Sequence, residues 1–181
     1  TMTPLEAVAT FAVAATWRDF AELRDPEDDV LPAAFLAIHE PEEGVLEVPL
    51  APQFMTDADT KALLSFVVLP EMIRAARASA VAVRLMAYAV RRDFEGDFGP
   101  DRPLPPEVEE PAGRIKEQAD RVELVVIEAF AHGDQETHLN AQVSRRPDGP
   151  PRLGDFERLP ANTESYGLFT TLGVHLVEPP A

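Results

Sequence analysis

The most apolar and β-branched run in the chain extends from Arg121 to Ala131 and has the sequence RVELVVIEAFA. Successive side chains of a β-strand point to opposite faces, and here both alternating sets are apolar. The pattern therefore predicts a central strand that is covered on both faces. Glu128 is a charged residue in the middle of this apolar strand. A carboxylate that is buried without a partner must take up a proton or find a cation. We predict that Glu128 is a ligand-binding residue.

A second alternating segment, from Ala80 to Arg92, predicts another long strand. We expect it to lie beside the central strand, because only the segment from Asp93 to Gly113 separates the two. That segment is rich in proline, glycine and acidic residues, which predicts a flexible loop. Arg84 lies in the second strand and is the strand cation nearest to Glu128 in this arrangement. The two side chains together define the predicted ligand pocket.

The N-terminal residues carry a helix signal. Thr3 is a suitable N-cap, Pro4 suits the first helical position, and Glu6 completes a capping box. The helix should end near Arg24 and present a wide apolar surface. The apolar run from Leu5 to Trp17 contains Glu6 and lacks a basic region before it, so it predicts a helix of the mature protein rather than a signal peptide.

A hairpin and a second helix are expected next. Two β-rich runs at 34–39 and 45–50 flank a turn of acidic residues, proline and glycine at 40–44. The second helix is predicted from Asp57 to Ala78, since acidic residues at its start interact favourably with the helix dipole. Pro70 falls inside this pattern and should kink the helix or restart it as two shorter ones.

The remaining sequence completes the predicted fold. A strand with one polar face is expected at 138–146, turns are expected at 132–137 and 147–154, and the apolar segment 166–177 fits neither helix nor strand clearly. Residues 1–181 are therefore predicted to form a single α+β domain. Its sheet should be mainly antiparallel, with parallel pairing allowed across the second helix, and both main helices should pack on one face.

Composition narrows the class of protein. The formal charge of −16 argues against binding to nucleic acid or to an anionic membrane surface. No apolar run is long enough to cross a bilayer, so we expect a soluble protein. The absence of cysteine excludes disulfides and thiolate chemistry and leaves the cytoplasm as the favoured location. Thr1 precedes Met2, and we expect the native chain to begin at Met2.

Two histidines suggest a metal site. His132 and His138 flank the turn after the central strand, with Asp134 and Glu136 between them, so a hairpin could bring two imidazoles and a carboxylate together. His132, His138 and Asp134 are the candidate ligands. The alternative interpretation is a polar hairpin tip, because the spacing matches no established zinc motif.

Motifs for catalysis and cofactor binding do not occur in the sequence. None of the serines lies in a nucleophile elbow, and phosphate-binding, dinucleotide-binding and RNA-binding motifs are absent. We therefore predict no cofactor. The segment from Lys61 to Arg92 is basic within an acidic protein, which predicts either intramolecular ion pairs or an anion site.

Three functions remain open on this basis. The first is a non-catalytic accessory or protein-interaction domain, cytoplasmic and self-associating, because the apolar residues exceed what two helices and one sheet need to bury. The second is a small-molecule or anion-binding protein, or a hydrolase, with a pocket near Glu128 and Arg84. The third is an acidic mimic of nucleic acid, which would require the acidic residues to lie on one surface.

Overall fold

A computed structural model describes residues 1–89, 120–159 and 169–181 of the chain. The predicted loop at 93–113 lies outside these ranges, as does the start of the unassigned segment 166–177. The described strands form one sheet: β1 (Ala33–Ile38), β2 (Gly44–Pro49), β3 (Ala80–Ala89), β4 (Val122–Ala131), β5 (Gln135–Arg146), β6 (Gly149–Leu153) and β7 (Glu157–Arg158). The α-helices in the same ranges are α1 (Pro4–Glu22), α2 (Ala58–Leu63) and α3 (Leu69–Ala76).

The strand order in space is β2-β1-β3-β4-β5-β6, and β7 also pairs with β5. All of these pairs are antiparallel, so the predicted α+β class with an antiparallel sheet is confirmed. The expected pairing of the two long strands is also confirmed, because β3 and β4 are in register from Ala80 opposite Ala131 to Ala89 opposite Val122. Two long strands that lie side by side satisfy each other's backbone hydrogen bonds, and their opposed apolar side chains contact each other on both faces of the sheet.

Helix α1 begins as predicted. The Thr3 side chain accepts a hydrogen bond from the Glu6 backbone N–H at 3.2 Å, and the Glu6 carboxylate accepts one from the Thr3 N–H at 2.8 Å. Pro4 occupies the first helical position, where a missing N–H costs nothing. Val8 and Ala12 lie on the inner side of the helix and are fully buried against the sheet.

The second helical region is interrupted near Pro70, as predicted. Asp57 caps α2 by accepting the Thr60 N–H at 2.8 Å. A π-helical segment at Leu64–Val68 then leads into α3, whose first turn contains Pro70. Proline has no N–H to donate to the preceding turn, and the wider π-helical turn accommodates that missing bond.

The helices lie on opposite faces of the sheet, which corrects the expectation that both pack on one face. Odd-numbered β1 residues such as Phe35 belong to the core under α1, whereas the even-numbered Leu36 belongs to the core under α3. Adjacent strand residues point to opposite faces, so the two cores must lie on different sides. Both faces of the central strand are covered, as its sequence predicted: Ile127 faces α1, and Phe130 faces α3.

The C-terminal half contains more sheet than its sequence predicted. β5 begins at Gln135, because Gly133 and Asp134, with φ of 86° and 59°, form a tight hairpin turn directly after β4. The expected turn at 147–154 instead contains β6, which pairs with the end of β5. The described part of the unassigned segment includes a short 3₁₀ helix, Leu172–His175.

Candidate functional site

Arg84 lies on the α1 face of the sheet, and its side chain is only 3% exposed. Its Nη1 donates to Asp19 Oδ2 at 2.8 Å and to Thr16 Oγ1 at 3.4 Å. Its Nη2 and Nε donate to the Leu31 carbonyl at 2.6 and 3.2 Å. The guanidinium group also lies 6.0 Å from the centre of the Phe35 ring. These contacts tie α1, β3 and the segment before β1 together.

Glu128 lies on the opposite face of the sheet from Arg84. In the β3–β4 register Glu128 is opposite Val83, whereas Arg84 is opposite Ile127. Directly opposed residues share a face, so Glu128 shares the α3 face with Val83 and cannot meet a side chain on the α1 face. The expectation that Arg84 neutralises Glu128 is therefore wrong, and the structure does not bring the two side chains into one pocket.

The partner of Glu128 is a histidine of the next strand. Glu128 is opposite His138 in the β4–β5 register, and Glu128 Oε1 lies 3.6 Å from His138 Nδ1. On the other side of the ring, His138 Nε2 lies 3.7 Å from Glu136 Oε2. The edge of the ring packs against Phe130, with the centroids 5.9 Å apart. The imidazole is thus held between two carboxylates at distances longer than a hydrogen bond.

Burial raises the pKa of Glu128 above its ordinary value of 4.5; the nearby His138 opposes this effect and Glu136 adds to it. The direction follows from the cost of placing a charged carboxylate in an apolar environment. Arg84 pairs with Asp19 on the other face of the sheet, so a substitution of Glu128 leaves the Arg84 ion pair intact.

We expect Glu128→Gln to raise the free energy of unfolding at pH 8, with the gain shrinking towards pH 4. A raised pKa means that folding favours the protonated carboxyl. The stability that the protonated Glu128 carboxyl contributes is complete below pH 4.5 and is lost as the pH rises through the folded-state pKa. Urea unfolding across this pH range measures the effect, with the exposed Glu157→Gln as the matched control. A Glu128→Gln variant less stable than the wild type at pH 8 would show that the charged form is the favoured one.

The proposed metal ligands lie in two different settings. His132 and Asp134 are exposed in the hairpin turn, where the backbone N–H of His132 donates to the backbone carbonyl of Ser79 at 3.0 Å. His138 lies on the sheet beside Glu128. Across residues 1–89, 120–159 and 169–181, no three histidine, aspartate or glutamate side chains are arranged to hold a metal ion.

A second arginine cluster was not predicted. Arg145 of β5 binds both carboxylate oxygens of Glu123, through Nε at 2.6 Å and Nη2 at 2.8 Å. It also contacts the Asp29 carboxylate and donates to the carbonyls of Pro26 and Asp28 at 3.0 and 3.1 Å. The cluster fastens the segment after α1 to the sheet. The sequence shows only an acidic run and a distant arginine, so their pairing depends on the tertiary fold.

A cleft lies between α1 and the strands β5 and β7. Its wider end has a volume of about 420 Å³ and continues into a groove of about 340 Å³ along the helix. Arg158 and Glu6 line both parts. Sequence reasoning missed Arg158, because β7 is only two residues long and leaves no periodic signal.

Two apolar surfaces are also exposed. Leu63, Phe66 and Val67 lie on adjacent helical turns at the α2 end, and Phe66 is 59% exposed. On β2, at one edge of the sheet, Leu46 is 44% exposed. Apolar side chains grouped at the surface, as at the α2 end, favour contact with another protein, whereas a single exposed leucine such as Leu46 is common on protein surfaces.

None of the helices in the described ranges is long and apolar enough to cross a membrane. The chain matches no protein-family model, and no curated protein or solved structure is significantly similar to it.

Proposed function

We propose that this protein is a non-catalytic interaction domain that self-associates through the free edge of β2. β2 is the terminal strand of the sheet, and among the described residues it pairs only with β1. An exposed strand edge carries unpaired backbone donors and acceptors, which another strand can satisfy. This free edge is the observation that carries the proposal.

The backbone pattern of β2 defines which groups face outward. The Leu50 N–H donates to the Pro32 carbonyl at 2.9 Å, so even-numbered residues of this segment point their backbone groups towards β1. Val45 and Glu47 therefore direct theirs away from the sheet. Pro49 occupies the next outward position without an N–H, which limits pairing to the first part of the strand.

The outward groups are self-complementary in one register. If Leu46 of one copy lies opposite Leu46 of a second copy, Val45 of each exchanges both backbone hydrogen bonds with Glu47 of the other. The two leucines then meet at the two-fold axis as a close apolar pair. Repulsion between the acids is reduced, because Glu47 already forms an ion pair of 2.7 Å with Arg18. These features favour a second copy as the partner.

The other two functions have less support. A pocket built by Arg84 and Glu128 would need both on one face, and their strand positions place them on opposite faces. An acidic mimic would need unpaired acids on one surface, whereas Asp29 and Glu123 are engaged by Arg145. A cytoplasmic location remains part of the proposal, supported only by the absence of cysteine.

Sedimentation velocity over a concentration series tests the proposal. We expect the wild type to form dimers and Leu46→Asp to weaken dimerisation by at least about tenfold, since two carboxylates would face each other at the axis. Val45→Pro should act similarly because it removes an outward N–H. Circular dichroism checks that both variants remain folded.

The exposed Phe66 provides the matched control, because Phe66→Ser removes a larger apolar side chain from the other surface. We expect it to leave the dimer unchanged. A wild type that remains monomeric at every concentration contradicts the proposal. A dimer that is lost in Phe66→Ser but retained in Leu46→Asp would place the interface on the α2 end instead.

A further inference from the structure

We propose that the cleft between α1 and β5–β7 binds a small organic carboxylate with an apolar body. The cleft is about 420 Å³ at its wider end, which is within the usual range for small-molecule sites. It lies at the β5 side of the sheet, whereas the proposed dimer edge is β2 at the other end. This inference is therefore independent of self-association.

An apolar stripe runs along the helix side of the cleft, whereas the wider end is lined mainly by polar residues. Leu5, Ala9 and Val13 follow one another at intervals of four residues, so they form a continuous stripe on α1. Leu139 of β5 faces this stripe across the groove. All four side chains also contact the core under α1, which gives the walls a fixed position. A hydrocarbon or aromatic body could lie between the helix and the strand.

The charged group of the cleft is Arg158. It is opposite Leu139 in the β5–β7 register, and its side chain is exposed where the wide and narrow parts join. Among the described residues, no hydrogen bond or ion pair engages its guanidinium, although the Glu6 carboxylate lies near enough to attract it electrostatically. Arg84 and Arg145 differ in this respect, because both are engaged by carboxylates within the fold. The Arg158 guanidinium thus has N–H donors that no described residue uses, and an incoming carboxylate can accept from them.

The surroundings of Arg158 favour a single carboxylate over a more highly charged anion. Glu6 and Glu136 also line the cleft, and one oxygen of Glu6 already accepts the Thr3 N–H at 2.8 Å. The negative charge of these two carboxylates would repel a multiply charged ligand such as phosphate more strongly than a monoanion. One guanidinium group can hold one carboxylate through paired hydrogen bonds. Thr137 and Gln135 line the mouth and offer further polar contacts.

Calorimetric titration with octanoate tests this inference, with octylammonium as a probe of equal chain length and opposite charge. We expect octanoate to bind and octylammonium not to bind. In a methyl NMR spectrum, octanoate should shift the signals of Val13 and Leu139, while those of Ile73 in α3 stay unchanged. Absence of octanoate binding, or octylammonium binding as tightly as octanoate, would overturn the inference.

The role of Arg158 is tested by substitution. Arg158→Ala should weaken octanoate binding by at least about tenfold, and Arg158→Lys should recover only part of it because lysine cannot form the paired hydrogen bonds. Arg152→Ala is the matched control, since Arg152 is an exposed arginine of β6 that does not line the cleft. Equal octanoate affinity in the wild type and Arg158→Ala would exclude Arg158 as the anchor. Unchanged circular dichroism shows that each variant is folded.

Discussion

Asp19→Ala is expected to lower the free energy of unfolding by about 3 kcal/mol, the largest effect of a single substitution that we anticipate. Asp19 is the carboxylate partner of Arg84, whose side chain is 3% exposed. Without Asp19 the guanidinium would remain buried with its charge uncompensated. The Leu31 carbonyl and the Thr16 hydroxyl would still accept hydrogen bonds, but neither carries a charge. Chemical denaturation at neutral pH measures the loss.

The adjacent Arg18→Ala is the matched control for this prediction. Arg18 also forms ion pairs, with Asp19 and Glu47, but its side chain is 54% exposed. Exposed ion pairs contribute little, so the expected loss is much smaller than that of Asp19→Ala. If the two variants lose the same stability, burial of Arg84 does not set the energy of its pair.

Arg145→Ala is expected to cost about 2 kcal/mol and to loosen the segment after α1. The side chain holds Glu123 through two hydrogen bonds and also binds the carbonyls of Pro26 and Asp28. Hydrogen bonds to a charged group are stronger than neutral ones, although partial exposure of Arg145 reduces their net contribution. Chemical denaturation measures the change in the free energy of unfolding. Hydrogen exchange should show faster exchange at the backbone N–H groups of Arg24 and Asp25, which Asp28 caps.

Arg145→Lys and Arg152→Ala serve as controls for that prediction. Lysine keeps the charge but cannot reproduce the planar, multiple hydrogen bonds, so Arg145→Lys should recover less than half of the loss. Arg152 is exposed on β6, and its replacement should change stability by less than about 0.5 kcal/mol. Full recovery by lysine would show that charge, rather than hydrogen-bond geometry, fastens the segment.

Local sequence determined the ends of α1, the interruption at Pro70 and the two-sided burial of β4. These features depend on contacts between residues close in the chain or on the polarity of one segment alone. The cap of α1 needs only Thr3 and Glu6, which are three residues apart. The pairing of β3 with β4 could be predicted because both strands are long and apolar. β6 was missed, because its residues include two prolines that normally mark a turn.

The tertiary structure alone decided which charged groups meet. The sequence placed Arg84 and Glu128 on neighbouring strands, but only the register shows that they point to opposite faces, and a shift of one residue would reverse this. The register is set by the packing of both cores and not by the strands themselves. Arg84 pairs with Asp19, 65 residues away along the chain, and Arg145 contacts Asp29, 116 residues away, in addition to Glu123. Such distant pairs leave no local pattern, because their proximity results from the docking of α1 and its following segment onto the sheet.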